Sequence, residues 1–591
     1  MCGIFGSTSS KFDFHKFIIQ GIESLEYRGY DSAGTAHIDD NNQIVTQFTT
    51  KSIQHLHSSY HAKKLCAIAH TRWATHGKAT IENAHPHTSH NRIAIVHNGI
   101  IENHKEIKSQ LNAEHNITWH SETDSEVIAH ALYVQLMQGQ TIQNALATIT
   151  STLKGSYALA VLDTHNPGKI FITCLESPIL VGKSRYGHHV ASDAIALEPI
   201  CSAIYRIPPK TIWTISEDAI SSTEDHPVTW KTITQRSNLS QEHAFKHKTL
   251  EEIHAQPTVL KNLFQQHIPL LPNTIKKPHS LLMIACGSSY YCAYIAKYWM
   301  EKTLNIPVSV ELASEFRYRS PYVDPQTLLI TLSQSGETLD TLSALRHAKK
   351  QAPNIQTLSI GNNPLSTIAQ ESDLFWPTNA GTEIGVATTK VFTAQLACLQ
   401  TLIAIFKKAS PLKNLEETSK ILHDIIQDQS PVIASLAKDL SVQNTLFFLG
   451  RGANYGVAQE ATLKVQELAY LPCHAFAAGE LKHGPLALID HKATCIVLLS
   501  DDHYLSKLLS NIHEIQARHG RIVIIGSAHA VESVQAEASN IQSVKLPNNL
   551  CEGSQVFAQI ICTQLLAYYI AEKRGCAIDK PRNLAKCVTV E

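Results

Sequence analysis

Apolar residues in the first 225 positions come in short runs broken by turn-forming residues. Segments 66–70, 92–97, 157–162 and 170–173 read as short strands. Segments 15–25 and 124–137 carry helical spacing, so positions 1–225 predict an α+β domain rich in sheet. A polar mixture over 226–246, with Ser237, Asn238, Ser240 and Gln241, predicts a linker. A helical segment follows at 249–264, interrupted by Pro257.

From about position 278 strands alternate with helices, the signature of parallel βαβ units. The rhythm occurs twice. Strand-like runs at 281–287, 328–332 and 357–361 correspond in order to runs at 446–452, 495–499 and 522–526. The pattern predicts a duplicated, doubly wound α/β lobe. The first copy with its leading helix spans 247–415. The second spans 416–579, with a helical connection over 412–441. Positions 580–591 break the rhythm and form a tail.

A chain of 591 residues exceeds one hydrophobic core and calls for several domains. Hydrophobic residues at 43% and charged residues at 17% fit a globular protein, and a net charge of -1 provides no field for nucleic acid or acidic lipid. The start has no basic, apolar secretory pattern. The most apolar segments, 392–406 and 556–571, are too short to cross a bilayer and contain glutamines, so they read as buried helices. The 13 cysteines show no CxxC pair, which points to reduced thiols and a cytoplasmic setting. The 33 histidines include His85 and His87 around Pro86, but no accompanying metal-ligand spacing; neither a metal nor another cofactor is expected.

Cys2 follows the initiator Met1. Removal of Met1 would give the thiol its own base, an α-amine with a pKa near 8. Alone, a second-position cysteine is also compatible with chance. Further segments sharpen the reading: 27–34 (YRGYDSAG), 70–77 (HTRWATHG), 97–103 (HNGIIEN) and 121–126 (SETDSE). Thiolate attack on an amide creates an oxyanion, for which Asn98 and the Gly99 N–H are candidate donors. Asn-Gly is equally the signature of a hairpin turn. Arg72 suits a bidentate pair with an α-carboxylate, and Asp124 an α-ammonium.

In the first lobe, 331–338 (TLSQSGET) follows a strand and should open a helix. Ser333, Gln334, Ser335 and Thr338 together with helical N–H groups suit a phosphate monoester, although Ser335 and Thr338 also fit a simple capping box. No P-loop lysine follows. The loop 286–289 (CGSS) ends the preceding strand, and ligands of open α/β sheets sit beyond such carboxyl ends. Lys464 and Glu467 share one helix face at i, i+3, either as a proton-transfer pair or as a surface ion pair.

The N-terminal segments resemble the N-terminal-nucleophile (class II) glutamine amidotransferases, and the two lobes resemble the sugar isomerase (SIS) domain. Across its length the chain is similar to a family that aminates and isomerises fructose 6-phosphate, with further matches at 311–319, 379–390, 479–485 and 581–586. The resemblance implies an N-terminal-nucleophile glutaminase followed by two SIS-type lobes, with glutamine and fructose 6-phosphate as substrates and a homodimer through the isomerase lobes. It assigns Cys2, Asn98 and Gly99 to amide hydrolysis. Arg72, Thr75, His76, Gly99 and Asp124 would bind glutamine, with Trp73 gating ammonia near Ala585. His483 would open the sugar ring, Lys586 would form a Schiff base with the ketose, and Glu467 with Lys464 would move the proton between C1 and C2. Ser289, Ser333, Gln334, Ser335, Thr338, Val386 and Thr388 would hold the sugar phosphate. Ser288, Thr388 and Cys587 depart from the expected Thr, Ser and Ser. A phosphoribosyl-pyrophosphate amidotransferase would need an acidic ribose-pyrophosphate motif that the sequence lacks. A non-catalytic sensor would have no reason to keep Cys2, Glu467, His483 and Lys586 together, and an isomerase or deaminase without amide transfer none to keep the glutaminase segments.

Overall fold

The computed structural model describes residues 2–9, 14–56, 66–74, 76–233, 245–267, 277–408, 412–537 and 541–588. Two compact units emerge: Met1–Ser240 with Cys587–Glu591, and Gln241–Lys586.

The first unit contains, in chain order, β1 (Gly3–Thr8), α1 (Phe14–Glu23), β2 (Ser32–Ile38), β3 (Ile44–Thr49), β4 (Cys66–Arg72), β5 (His87–Ser89), β6 (Ile93–Ile101), α2 (His104–Glu114), α3 (Glu126–Met137), α4 (Ile142–Thr152), β7 (Gly155–Asp163), β8 (Ile170–Leu175), β9 (Leu180–Ser184), β10 (Gly187–Ala191), β11 (Ala203–Arg206), β12 (Trp213–Ile215), β13 (Ile220–Ser222) and β14 (Lys231–Thr232). Eight strands form one sheet, β14-β11-β9-β10-β1-β4-β2-β3, and six form another, β13-β12-β8-β7-β6-β5. Both are antiparallel. Ile4, Ile68 and Val190 of one sheet share a buried cluster with Val96, Ala158 and Ile172 of the other. Because side chains alternate across a strand, the opposite face of the six-stranded sheet is free to bury Ile95, Leu159 and Phe171 against α3 and α4. The sequence reading of an α+β, sheet-rich domain is therefore realised. Its last strand, β14, lies inside the stretch read as a linker, and 234–244 of that stretch fall outside the described residues.

The second unit begins with α5 (Lys248–His267), which carries Pro257 in its interior. Then come β15 (Ser280–Ala285), α6 (Gly287–Leu304), β16 (Val308–Leu312), α7 (Ala313–Phe316), β17 (Thr327–Ser333), α8 (Leu339–Gln351), β18 (Gln356–Gly361), α9 (Thr367–Glu371), β19 (Leu374–Pro377), α10 (Lys390–Phe406) and α11 (Leu412–Leu440). The repeat follows as β20 (Leu446–Gly450), α12 (Ala453–Ala469), β21 (Cys473–Ala477), β22 (Thr494–Leu498), α13 (Leu505–Gln516), β23 (Arg521–Ser527), α14 (Ala528–Glu537), β24 (Gln542–Leu546) and α15 (Glu552–Lys573). The sheets run β16-β15-β17-β18-β19 and β21-β20-β22-β23-β24, parallel throughout. The same order in both confirms the duplication. One buried cluster holds strand residues of both copies, Met283 and Ile330 with Phe448 and Ile496, together with α10, α12 and α15. The segments read as buried helices are α10 and α15, and no helix among the described residues is long and apolar enough to cross a membrane.

Candidate functional site

In the first unit, Cys2 immediately precedes β1, so the register of β1 with β4 decides what surrounds it. Gly3 lies opposite Thr71, whose hydroxyl accepts from the Gly3 N–H at 3.1 Å. The Cys2 thiol approaches the Trp73 carbonyl oxygen at 3.8 Å. Its main-chain oxygen accepts from Asn98 Nδ2 at 3.1 Å and from Arg28 Nε at 3.2 Å. Burial pushes the Cys2 thiol up from its ordinary pKa, with Arg72 pulling the other way.

Asn98 and Gly99 sit inside β6, opposite Ala158 and Tyr157 of β7, so they form no hairpin. Gly99 has φ +136°, and a Cβ there would lie 2.0 Å from the Ser156 oxygen. Only glycine fits, and its backbone is turned out of ordinary strand geometry beside Cys2's partner Asn98. Asp124 is buried and accepts from the Ile101 N–H at 2.7 Å. Arg72 donates to the carbonyl oxygens of Lys78 at 3.0 Å, Gly77 at 3.1 Å and His76. The guanidinium thus braces the 76–78 loop. His76 stacks edge-on to His104 at 5.5 Å. Thr75 lies outside the described residues.

In the second unit, the strand order reverses between β15 and β17, which is where open α/β sheets hold ligands. The loops after β15 and β17, 286–289 and 333–338, both end there. Ser333 Oγ accepts from the Gly336 N–H at 3.0 Å and meets Thr338 Oγ1 at 3.0 Å, while Ser335 Oγ accepts from the Glu337 N–H at 3.1 Å. The hydroxyls fold the loop into a turn ahead of α8. Thr338 occupies the N-cap position of α8 without a side-chain cap bond, so its hydroxyl does not take up the N–H groups of the first turn, the donors a helix start offers an anion. Gln334 is half-buried in the same turn. The Ser289 hydroxyl donates to Gln395 Oε1 at 3.0 Å.

Lys586 Nζ pairs with Glu383, both side chains fully enclosed, and reaches Thr388 Oγ1 at 3.2 Å. Burial opposes the charge on Glu383, but Lys586 overcomes it and holds the carboxyl below its ordinary range. The Val386 N–H is committed to the Asp579 oxygen at 3.1 Å, leaving its carbonyl as the backbone group it could offer a sugar. On α12, Lys464 pairs with Glu467 and with Glu460 at 3.5 Å. Burial works against Lys464's charge, yet the two carboxylates outweigh it and raise its pKa. His483 is exposed, with no hydrogen bond or ion pair among the described residues.

Three carboxyls went unassigned in the sequence reading. Glu460 stands four residues before Lys464, so its place on the same helix face was readable from spacing. Glu383 belongs to the 379–390 match. Glu252 on α5 accepts from the Gly385 N–H at 3.3 Å across 133 residues, and no local pattern marks it. Burial pushes Glu252 up to about 8 and Glu460 up to about 7.

Models of known families match in the same arrangement: the glutamine amidotransferase domain over residues 42–234, and the SIS domain over 274–405 and again over 439–571. Curated relatives bearing the name glutamine–fructose-6-phosphate aminotransferase (isomerizing) align over the whole of both chains. Those of Salmonella typhi, Escherichia coli strain K12 and Idiomarina loihiensis are each 38% identical. Among solved structures, the C-terminal domain of glucosamine-fructose-6-phosphate aminotransferase from Francisella tularensis covers 57% of this chain and 100% of its own at 34% identity and a TM-score of 0.53.

Proposed function

This chain belongs to the family of glutamine–fructose-6-phosphate aminotransferases (isomerizing), and on that premise we propose how its residues divide the work. It is an enzyme that takes nitrogen from glutamine and delivers it to fructose 6-phosphate, yielding glutamate and glucosamine 6-phosphate.

Removal of Met1 frees the Cys2 amine. That amine takes the thiol proton as sulfur attacks the glutamine carboxamide, and returns it to the departing ammonia; water then cleaves the thioester to glutamate. Asn98 Nδ2 and the Gly99 N–H face the developing oxyanion. Arg72, Thr75, His76 and Asp124 recognise the amino-acid end of glutamine, and Trp73 gates release. Ammonia is nucleophilic only while neutral, so it is passed on before it meets water.

In the isomerase lobes, the 333–338 turn and the start of α8 bind the phosphate, with Ser289, Val386 and Thr388 contributing to the sugar pocket. His483 opens the ring. Lys586 condenses with the C2 ketone, expelling water, and ammonia displaces the lysine to leave the sugar imine. Glu467, paired with Lys464, removes a C1 proton and returns one to C2. We further propose that the enzyme is a cytoplasmic homodimer.

The observation that carries this reading is the seat of Cys2 at the head of β1, its carbonyl held by the Asn98 amide. Incubation with glutamine and fructose 6-phosphate, omitting each in turn, tests it. Glutamate and glucosamine 6-phosphate should appear in equal amounts by mass spectrometry. Glutamate without amino sugar would disprove the acceptor assignment.

A further inference from the structure

Behind Asn98 stands a histidine that the reaction as written does not use. His70, on β4, is fully buried. Its Nε2 lies 2.9 Å from the His97 carbonyl oxygen and 3.1 Å from Asn98 Oδ1. Both neighbours are acceptors, so Nε2 must carry the hydrogen. The ring is packed at 4.2 Å between centroids against His85, which in turn lies 4.4 Å from His87. His70 Nδ1 has no hydrogen-bond partner among the described residues. Burial holds His70 down to about 3 and His87 to about 4, and lowers His85 and His97 as well. Burial thus favours the neutral form of all four rings.

A primary amide has two nearly isosteric ends, and an oxyanion hole works with only one of them. Were Asn98 flipped, its oxygen would face the developing negative charge. We propose that His70 is a positioning residue: by donating from Nε2 to Asn98 Oδ1 it fixes the amide so that Nδ2 faces the reacting carbonyl at Cys2. Neutrality suits this task. An imidazolium would add a second donor, on Nδ1, which has no hydrogen-bond partner among the described residues, whereas the neutral Nε2–H tautomer offers the one donor required.

The inference rests on the oxyanion role given to Asn98, so the test separates the two. Glutamine hydrolysis and Cys2 alkylation by iodoacetamide are measured in full-length His70→Gln, His70→Asn, His70→Ala, Asn98→Ala and the His70→Ala/Asn98→Ala double variant. A glutamine side chain places its amide nitrogen near the imidazole Nε2, and an asparagine cannot reach it. His70→Asn and His70→Ala should lower kcat about 10²-fold, the loss typical of a missing oxyanion donor. KM and the alkylation rate should stay within about twofold, and His70→Gln should recover most of the turnover. The double variant should be no slower than Asn98→Ala. Equal activity of the Gln and Asn variants, parallel loss of alkylation, or additive losses in the double variant would overturn the proposal. Unchanged turnover in Asn98→Ala would instead overturn the oxyanion assignment and remove the basis for His70 with it.

Discussion

Arg28 grips the nucleophile by its backbone: Nε donates to the Cys2 carbonyl oxygen at 3.2 Å while Nη1 of the same guanidinium pairs with Asp193 at 2.8 Å. Tyr27 donates to that same Asp193 oxygen at 2.9 Å. Arg28 is 1% exposed, so the planar fork is fixed on both sides and cannot be imitated by a lysine. Arg28→Lys should lower glutamine turnover by about 10²-fold, the scale of a displaced catalytic group. Alkylation of Cys2 should slow in parallel, because here the thiol itself is moved. Wild-type kinetics in this variant would show that the contact does not position Cys2.

Gly99→Ala places a methyl 2.0 Å from the Ser156 oxygen at φ +136°. Backbone cannot yield there without breaking the β6–β7 pairing. A loss of at least about 2 kcal/mol is expected, read as a lower melting temperature of the glutaminase unit with glutamine hydrolysis abolished. A variant that melts normally would mean that the strand tolerates the shift.

Lys586→Arg keeps the positive partner of Glu383 but removes a nitrogen able to form an imine, since a guanidinium does not deprotonate in proteins. Borohydride added with fructose 6-phosphate should attach the sugar to the Lys586 peptide of the wild type and to none in the variant. Synthesis should fall by about 10³-fold or more, on the scale of losing a covalent catalyst, with glutamine hydrolysis retained. Lys586→Ala should also cost about 3–5 kcal/mol, because Glu383 would be left buried without its cation.

Two buried carboxyls impose a pH dependence with a definite sign. Burial, then Glu383, raises Glu252, while Lys586 and Lys390 pull it down; the balance is about 8 against 4.5 for a free glutamate. Burial, opposed by Lys464 and aided by Glu467, takes Glu460 to about 7. Between about 4.5 and these values the folded unit keeps protons that the unfolded chain has lost. Its stability therefore falls as pH rises through that window and levels off above about 8. The Glu252→Gln/Glu460→Gln variant, which mimics the protonated pair, should flatten the fall in melting temperature between pH 5 and 8. An unchanged slope would mean that other groups set it.

What the sequence made legible was whatever repeats or whatever touches locally. The twofold βαβ rhythm predicted both parallel sheets, and the i, i+3 spacing of Lys464 and Glu467 placed their charges together. Contacts that depend on tertiary closure were not legible. Lys586 and Glu383 are 203 residues apart, and Glu252 meets the 384–385 backbone from a helix whose sequence marks nothing. Asn98-Gly99 shows the ambiguity at its sharpest. The dipeptide favours a turn, yet nine residues of β6 pair through it with β7, and the ladder decides. Ser289 shows the same limit: its place in the loop at the sheet's carboxyl end was legible, but its hydrogen bond to Gln395, 106 residues away, was not.

The two α/β copies share one apolar interior, with α15 buried along nearly all its 22 residues. Neither copy keeps an inside of its own there. Repeats therefore count three folding modules in this chain, whereas calorimetry should count two: one transition for the glutaminase and a single, larger one for the fused pair. A gene fragment ending between α11 and β20 would leave α11 without α15 and α6 without α12, and its product should precipitate or pair with itself rather than persist as half an isomerase.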